Sequence, residues 1–270
     1  MCLSFEHMKW LVKTGQLETA DGKSVDIFEF RHAKDEQILS AWAKHFRNHY
    51  CLDSQIDSLC SGTGYSRADY LNNIKFPDKS IAPGPSIRAG DFAEILAADY
   101  LEYCLKHWVP RTRYSHKTVR NESTKGSDTI GFMFSPDQNS SKDTLTIIES
   151  KAKYTGQHEN SLQAAIDHSD KDILRKAETL NAIKQRFLDK EDIDNSKRVE
   201  RFQNETDHPY IQKFVALAHL DNSNFTDDVI TTAKSASHSY SEQLSLIVIK
   251  GDEMMKKDQN QLTWLMVSLI

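Results

Sequence analysis

The sequence predicts an α/β fold, a mixed central sheet with helices on its flanks. Three observations predict it. Residues 127–134 and 143–154 (SDTIGFMF and DTLTIIESKAKY) are β-branched runs joined by a polar turn, SPDQNSSK, which is a hairpin pattern. Residues 213–220 and 243–250 (KFVALAHL and QLSLIVIK) are near-continuous apolar runs, as expected of strands buried on both faces. Between and before these runs lie stretches whose apolar residues recur at the helical period, so helices must flank the sheet.

In chain order, residues 1–34 read as strands: KWLVKT, a turn at Asp21-Gly22-Lys23, then VDIFEFRH. Residues 35–50 form an amphipathic helix with Ile38, Leu39, Trp42 and Phe46 on its apolar side. His45 and His49, spaced i, i+4, lie near that side, and Cys51 and Cys60 follow. The set offers part of a zinc site, or two packed histidines, since the glutamate of an HExxH motif is missing. Residues 65–74 read as a short helix. FPDKSIAPGPSI then supplies three prolines and a glycine, which places a boundary near residue 80. A smaller α+β N-terminal region at 1–80, a candidate partner interface, therefore precedes an α/β domain at 81–270. Residues 88–107 are a helix with Phe92, Ala93, Leu96, Ala97, Tyr100, Tyr103 and Cys104 on its apolar face and Asp91, Glu94, Ala98 and Glu102 on the other. After the hairpin, 162–168 and 173–187 are helical in pattern, and the chain closes on the apolar LTWLMVSLI.

Length and apolar content suit a globular chain, and no apolar run approaches a membrane span. The four cysteines form no CxxC pair, so a reduced, cytoplasmic setting is the expectation. A net charge of −5 is unusual for a protein that grips nucleic acid unaided. The charge is uneven, however. Residues 106–125 carry Lys106, Arg111, Arg113, Lys117, Arg120 and Lys125 against the single acid Glu122, and the helix at 173–187 with its lead-in carries Lys171, Arg175, Lys176, Lys184 and Arg186. Arg111, Arg113, Lys117, Arg120, Lys153, Arg175 and Lys176 are the candidate phosphate contacts, with a partner supplying the rest of the grip.

The chemistry concentrates on residues 143–154. On a strand, Ile147, Glu149, Lys151 and Lys153 share one side while Ile148, Ser150, Ala152 and Tyr154 share the other. An acid and a lysine one pleat apart, late in a β-branched run, suit a strand end that opens onto a cleft. With Phe134 opposite Thr144 in the hairpin, Asp128 lies beside Glu149 and Lys151, and a slip of one residue preserves this. Asp128, Glu149 and the Ser150 carbonyl then offer hard oxygens to Mg²⁺ or Mn²⁺, and Lys151 can orient a water. Glu149-Ser150-Lys151 is the only Glu-x-Lys in the chain; the Asp-x-Lys at 21–23 sits in a turn. In nucleases that this Asp…Glu-x-Lys pattern resembles, the helix before the core sheet often adds a carboxylate to the metal site, and that resemblance makes Glu94 the candidate, with Asp91 as second choice. The alternative is that Asp91 as N-cap and Glu94 form a capping-box pair. Asp137 and Asp143 border the hairpin turn and are expected to face solvent.

The pattern Asp…Glu-x-Lys resembles the PD-(D/E)XK nuclease superfamily. The blocks RAGDFAEILAADYLE, GSDTIGF, IIESKAKY, RKAETLNAIKQRF and LIVIKGDEM, in this order across residues 85–253, resemble HamA, the nuclease subunit of bacterial Hachiman anti-phage systems. The resemblance implies a restriction-endonuclease-like core, metal-dependent cleavage of DNA, and a helicase partner, HamB, that senses aberrant DNA. It also implies roles for Asp128, Glu149 and Lys151 in catalysis, with Glu94 the carboxylate of the preceding helix. The alternative function is an inactive nuclease-fold module that binds nucleic acid or regulates a helicase.

Overall fold

Six strands form a single sheet in the order β1-β2-β6-β5-β4-β3; the computed structural model describes residues 3–136, 140–154, 160–252 and 254. β1 (Leu11–Glu18) and β2 (Ser24–Phe30) are an antiparallel hairpin. β2 runs parallel to β6 (Leu244–Gly251), which runs parallel to β5 (Ile211–Asp221), and β5 runs parallel to β4 (Thr144–Lys153). β3 (Thr129–Met133) closes the far edge, antiparallel to β4. The sheet is thus mixed, as the alternation of hairpins and apolar runs predicts. Its first strand begins later than expected, because residues 3–10 form a 3₁₀ segment rather than extended chain. The boundary expected near residue 80 falls in the loop between Lys75 and Gly84, and the strands on its two sides share this one sheet. The closing segment 262–270 and Asp137 lie outside the described residues.

Period-two alternation divides the core into two layers. Ile148 of β4 with Val215 and Leu217 of β5 face α1 (Glu36–Tyr50) and α4 (Gly84–Asp99). Ile147 with Phe214 and Ala216 face α5 (Ser161–Leu188) and α6 (Ile193–Glu200). α2 (Ile56–Cys60) and α3 (Arg67–Tyr70) sit in the link between α1 and α4, and α7 (Asp228–Thr231) in the link between β5 and β6. Gly131 shows how close the α4 layer comes. A Cβ there would lie 2.5 Å from Leu101 Cδ2, in the π-helical turn Tyr100–Cys104 that continues α4.

Two helices differ from expectation. α4 starts at Gly84, not near residue 88, because Pro85 in the first turn is pre-set for a helix and has no N–H to waste. Asp91 is therefore two turns inside the helix and cannot be its N-cap, which removes the capping-box explanation of Asp91 and Glu94. The expected helices at 162–168 and 173–187 are one continuous α5. Its polar middle looked like a break, but Ser169 and Asp172 are buried on the sheet-facing side.

Candidate active site

β4 positions the central pair. Its first seven residues are buried, and Glu149, the sixth, is 3 % exposed on the α5 side of the sheet. Lys151 follows one pleat on, its ammonium donating to Glu149 Oε1. Hairpin pairing sets Met133 opposite Thr144 and Thr129 opposite Ile148, so Asp128 falls level with Glu149, one residue from the expected register. The turn that delivers Asp128 depends on Gly126, whose φ of +100° lies in the region that favours glycine. Ser127 beside it donates its N–H to Thr179 Oγ1 of α5 at 3.1 Å, and the Ser150 N–H donates to Asp128 Oδ2 at 3.1 Å. The site thus opens at the carboxyl end of a parallel strand, the usual place for ligands in open α/β sheets.

Around this pair stand groups from three other elements. Glu94 of α4 accepts from the Tyr114 hydroxyl and faces Arg113 Nε at 2.9 Å. The same guanidinium reaches Asp128 Oδ1 at 3.3 Å and donates to the carbonyls of Ser127 and Thr124. His168 of α5 lies with Nδ1 3.5 Å from Glu149 Oε1. Asp172, one helical turn beyond His168, is fully buried; neither of its oxygens accepts a well-formed hydrogen bond, and its polar neighbours are the side chains of Glu149 and Ser127.

Electrostatics mark these acids out. Burial, and then the charge of Asp128, push the Glu149 carboxyl well above its ordinary range despite Lys151. Burial raises Glu94 too, with Asp128 and Asp91 adding to it and Arg113 opposing. Asp172 is pushed up to about 6, by burial first and the Asp128 charge second. Burial works against the charge on Arg113, but Glu94, Tyr114 and Asp128 outweigh it and raise its pKa. A cavity of about 530 Å³ lies alongside, bounded by Glu94, Arg113, Tyr114, Asp128, Thr179 and Arg186.

The remaining expected contacts fall elsewhere. Asp143 does not face solvent: it is 5 % exposed, accepts from the Ser135 N–H at 2.7 Å and pairs with Arg201 at 3.0 Å. Capping the turn while neutralised by an arginine explains why this acid can be buried. The basic segment before Asp128 is largely bound to the chain's own acids. Arg111 pairs with Asp99 and Glu102, Lys117 with Asp91 at 2.7 Å, and Arg120 with Asp78 at 3.0 Å. Lys117 is also only 5 % exposed in its side chain. Lys176 pairs with Glu205, Arg175 is half exposed near Asp172 at 4.0 Å, and Lys153 ends β4 half-buried.

His45 and His49 do converge, but their third neighbour is Asp99 rather than a cysteine. Arg111 fills the space between them, with Nη1 2.7 Å from His49 Nε2 and Nη2 2.7 Å from Asp99 Oδ1. Cys60 donates its thiol to the Tyr65 carbonyl and Cys51 is buried, so the expected cysteine contribution is absent. Burial and the neighbouring Arg111 hold His49 well below its ordinary pKa, neutral and able to accept from the guanidinium.

Asp172 was the residue missed by reading the sequence. Its signal was an acid at the sheet-facing period of α5, four residues after His168, which looked like a break between helices instead.

The HamA family model covers residues 6–257, nearly the whole chain. This chain belongs to the HamA family. HamA membership implies a role in Hachiman anti-phage defence. The match also takes in the first strands, which lie outside residues 85–253, where the motif blocks fall. No curated protein matches the chain. Among the described residues no helix is long and apolar enough to cross a membrane.

Proposed function

We propose that the chain is a divalent-metal-dependent phosphodiester hydrolase of PD-(D/E)XK type that cuts DNA as the effector of a defence system, beside a HamB-like helicase subunit. The observation that carries this reading is the convergence of Asp128, Glu149 and Lys151 from adjacent strands at the carboxyl end of β4. Their donor set suits Mg²⁺ or Mn²⁺, since carboxylate oxygens are the ligands hard cations prefer. Asp128 and Glu149, with the Ser150 carbonyl, would hold the ion. Burial first, and the charge of Asp128 second, push Glu149 upward, and a dication beside these acids would offset both. When bound, such an ion polarises the phosphodiester and lowers the pKa of a coordinated water.

The chain's own groups do the rest. Lys151, a third exposed beside Glu149, is placed to orient the attacking water and to steady negative charge on the phosphate oxygens. Arg113 clamps Glu94 and Asp128 together and fixes the carboxylate that must face the ion. Because Arg111, Arg113, Lys117 and Arg120 are all paired internally, the basic segment before Asp128 offers the DNA backbone fewer cations than its composition suggests. Each phosphate contact contributes about 0.9 to the log–log salt slope, so this shortfall favours a grip shared with a helicase.

Plasmid nicking with Mg²⁺ tests the reading. Glu149→Gln is expected to abolish cleavage and Lys151→Ala to slow it by about 10²-fold or more, the scale of a positioned proton-transfer group. Both variants should fold. Full activity in either one ends the proposal.

A further inference from the structure

α5 buries one charged side chain among the residues it turns toward the sheet: Asp172. A helix packed on a sheet gains nothing from a carboxylate there, and an unpartnered one costs free energy. Leu180 and Ile183 occupy comparable positions further along the same helix. Neither Asp172 oxygen accepts a well-formed hydrogen bond, and the polar side chains beside it are those of Glu149 and Ser127. Arg175 Nη1 stands 4.0 Å from it, beyond hydrogen-bond reach and on a half-exposed side chain.

The neighbours along α5 show what Asp172 faces. His168, one turn before it, lies 3.5 Å from Glu149, and Thr179, two turns after it, holds the Ser127 N–H at 3.1 Å. Residues spaced by four and seven share a helix face. Asp172 therefore sits between Glu149 on one side and the Ser127–Asp128 turn on the other. Three carboxylates, from β4, the turn before β3, and α5, act on one another here, the Asp128 charge raising both Glu149 and Asp172.

We propose that Asp172 is a direct ligand of the divalent cation, completing an oxygen set with Asp128 and Glu149. The inference rests on the metal-dependent reading above. It also reassigns Glu94. That acid is already neutralised by Arg113 at 2.9 Å and by the Tyr114 hydroxyl, so a built-in guanidinium stands where a second ion would. Glu94 is then a positioning residue that holds Arg113 against Asp128, and Asp172 supplies the carboxylate that the sequence pattern had placed on α4. Asp172 is fully buried and Glu94 half-buried, and only Glu94 has a guanidinium against it, at 2.9 Å.

Mn²⁺ titration of the full chain, followed by electron paramagnetic resonance, tests this without reference to activity, with melting temperature read in parallel with and without Mg²⁺. Asp172→Asn should weaken Mn²⁺ binding by more than about tenfold, the loss that removing even an outer-shell partner brings. Its metal-free melting temperature should be equal to or above that of the unsubstituted chain, since a repelling charge has gone, and its Mg²⁺-induced shift should vanish. Glu94→Gln should keep Mn²⁺ affinity. Asp172→Ala is measured beside Asp172→Asn, so that a folding defect peculiar to the amide does not hide the result. Unchanged Mn²⁺ affinity in the folded Asp172 variants overturns the inference and leaves the metal reading standing. A chain that binds no Mn²⁺ even unsubstituted overturns both.

Discussion

Asp99 and Asp172 are both completely buried aspartates on helices packed against the same sheet, and they could hardly be treated more differently. Asp99 is surrounded by donors: His7 Nε2 at 2.9 Å, His45 Nε2 at 2.8 Å and Arg111 Nη2 at 2.7 Å. Burial works against its charge, but His45 and Arg111 outweigh that and hold its pKa well below the usual carboxylate range. Asp172 accepts no well-formed hydrogen bond, and burial with the charge of Asp128 pushes it the other way. The contrast separates two uses of a buried acid. Asp99 ties the 3₁₀ segment Leu3–Trp10, α1, α4 and the basic segment into one layer. Asp172 lies without a close cation beside Asp128 and Glu149, whose cations are Arg113 and Lys151, a gathering of acids that suits a ligand the fold itself does not supply.

The comparison can be broken most severely at Asp99. Asp99→Asn leaves Arg111 and the histidines buried around a neutral group, and removing one partner of a buried charge pair typically costs about 3–5 kcal/mol. Urea unfolding should show that loss, and a cost like that of a surface pair would mean that the network is not holding the layer together. Asp172→Asn, by contrast, should leave the metal-free fold at least as stable as before.

A second effect appears in the pH dependence of the metal-free protein. The folded-state values of Glu94 and Glu149 lie at about 8 and about 9, above their ordinary value of 4.5. An acid raised in this way favours the fold while protonated. Its contribution is fully present below the unfolded value and is lost as pH rises through the folded one. Melting temperature should therefore fall between pH 7 and pH 9, and saturating Mg²⁺ should flatten the decline. Glu149→Gln should remove much of the slope; an identical slope in that variant would show that the carboxyl is not under strain.

The smallest effect sharpens the contrast from outside. Lys44 pairs with Asp53 at 3.1 Å, and both side chains are substantially exposed. Lys44→Ala should cost about 0.5 kcal/mol or less, since water screens such pairs. A large loss in chemical denaturation would mean that exposure is a poor guide to what these ion pairs contribute.

Much of this was legible in the chain. All six strands form where the β-branched and apolar runs lie, since alternation and burial on both faces leave a period-two or continuous apolar signal. Asp128, Glu149 and Lys151 converge because hairpin pairing is local, and a slip of one residue did not separate them. The pairing of Lys117 with Asp91 and of Arg111 with Asp99 was not legible. A lysine in a basic segment looks the same whether it meets phosphate or an acid from a helix two turns away in space.

What the sequence determined by itself was therefore periodic or short in range: the mixed sheet, its flanking helices and the carboxylate–lysine pair on one strand. Tertiary structure alone decided which acids are neutralised. Charge pairing depends on which side chains meet across elements, and neither periodicity nor spacing records that. Asp99 and Asp172 are each simply an aspartate within a helical pattern until packing brings three donors to one and two further carboxylates to the other.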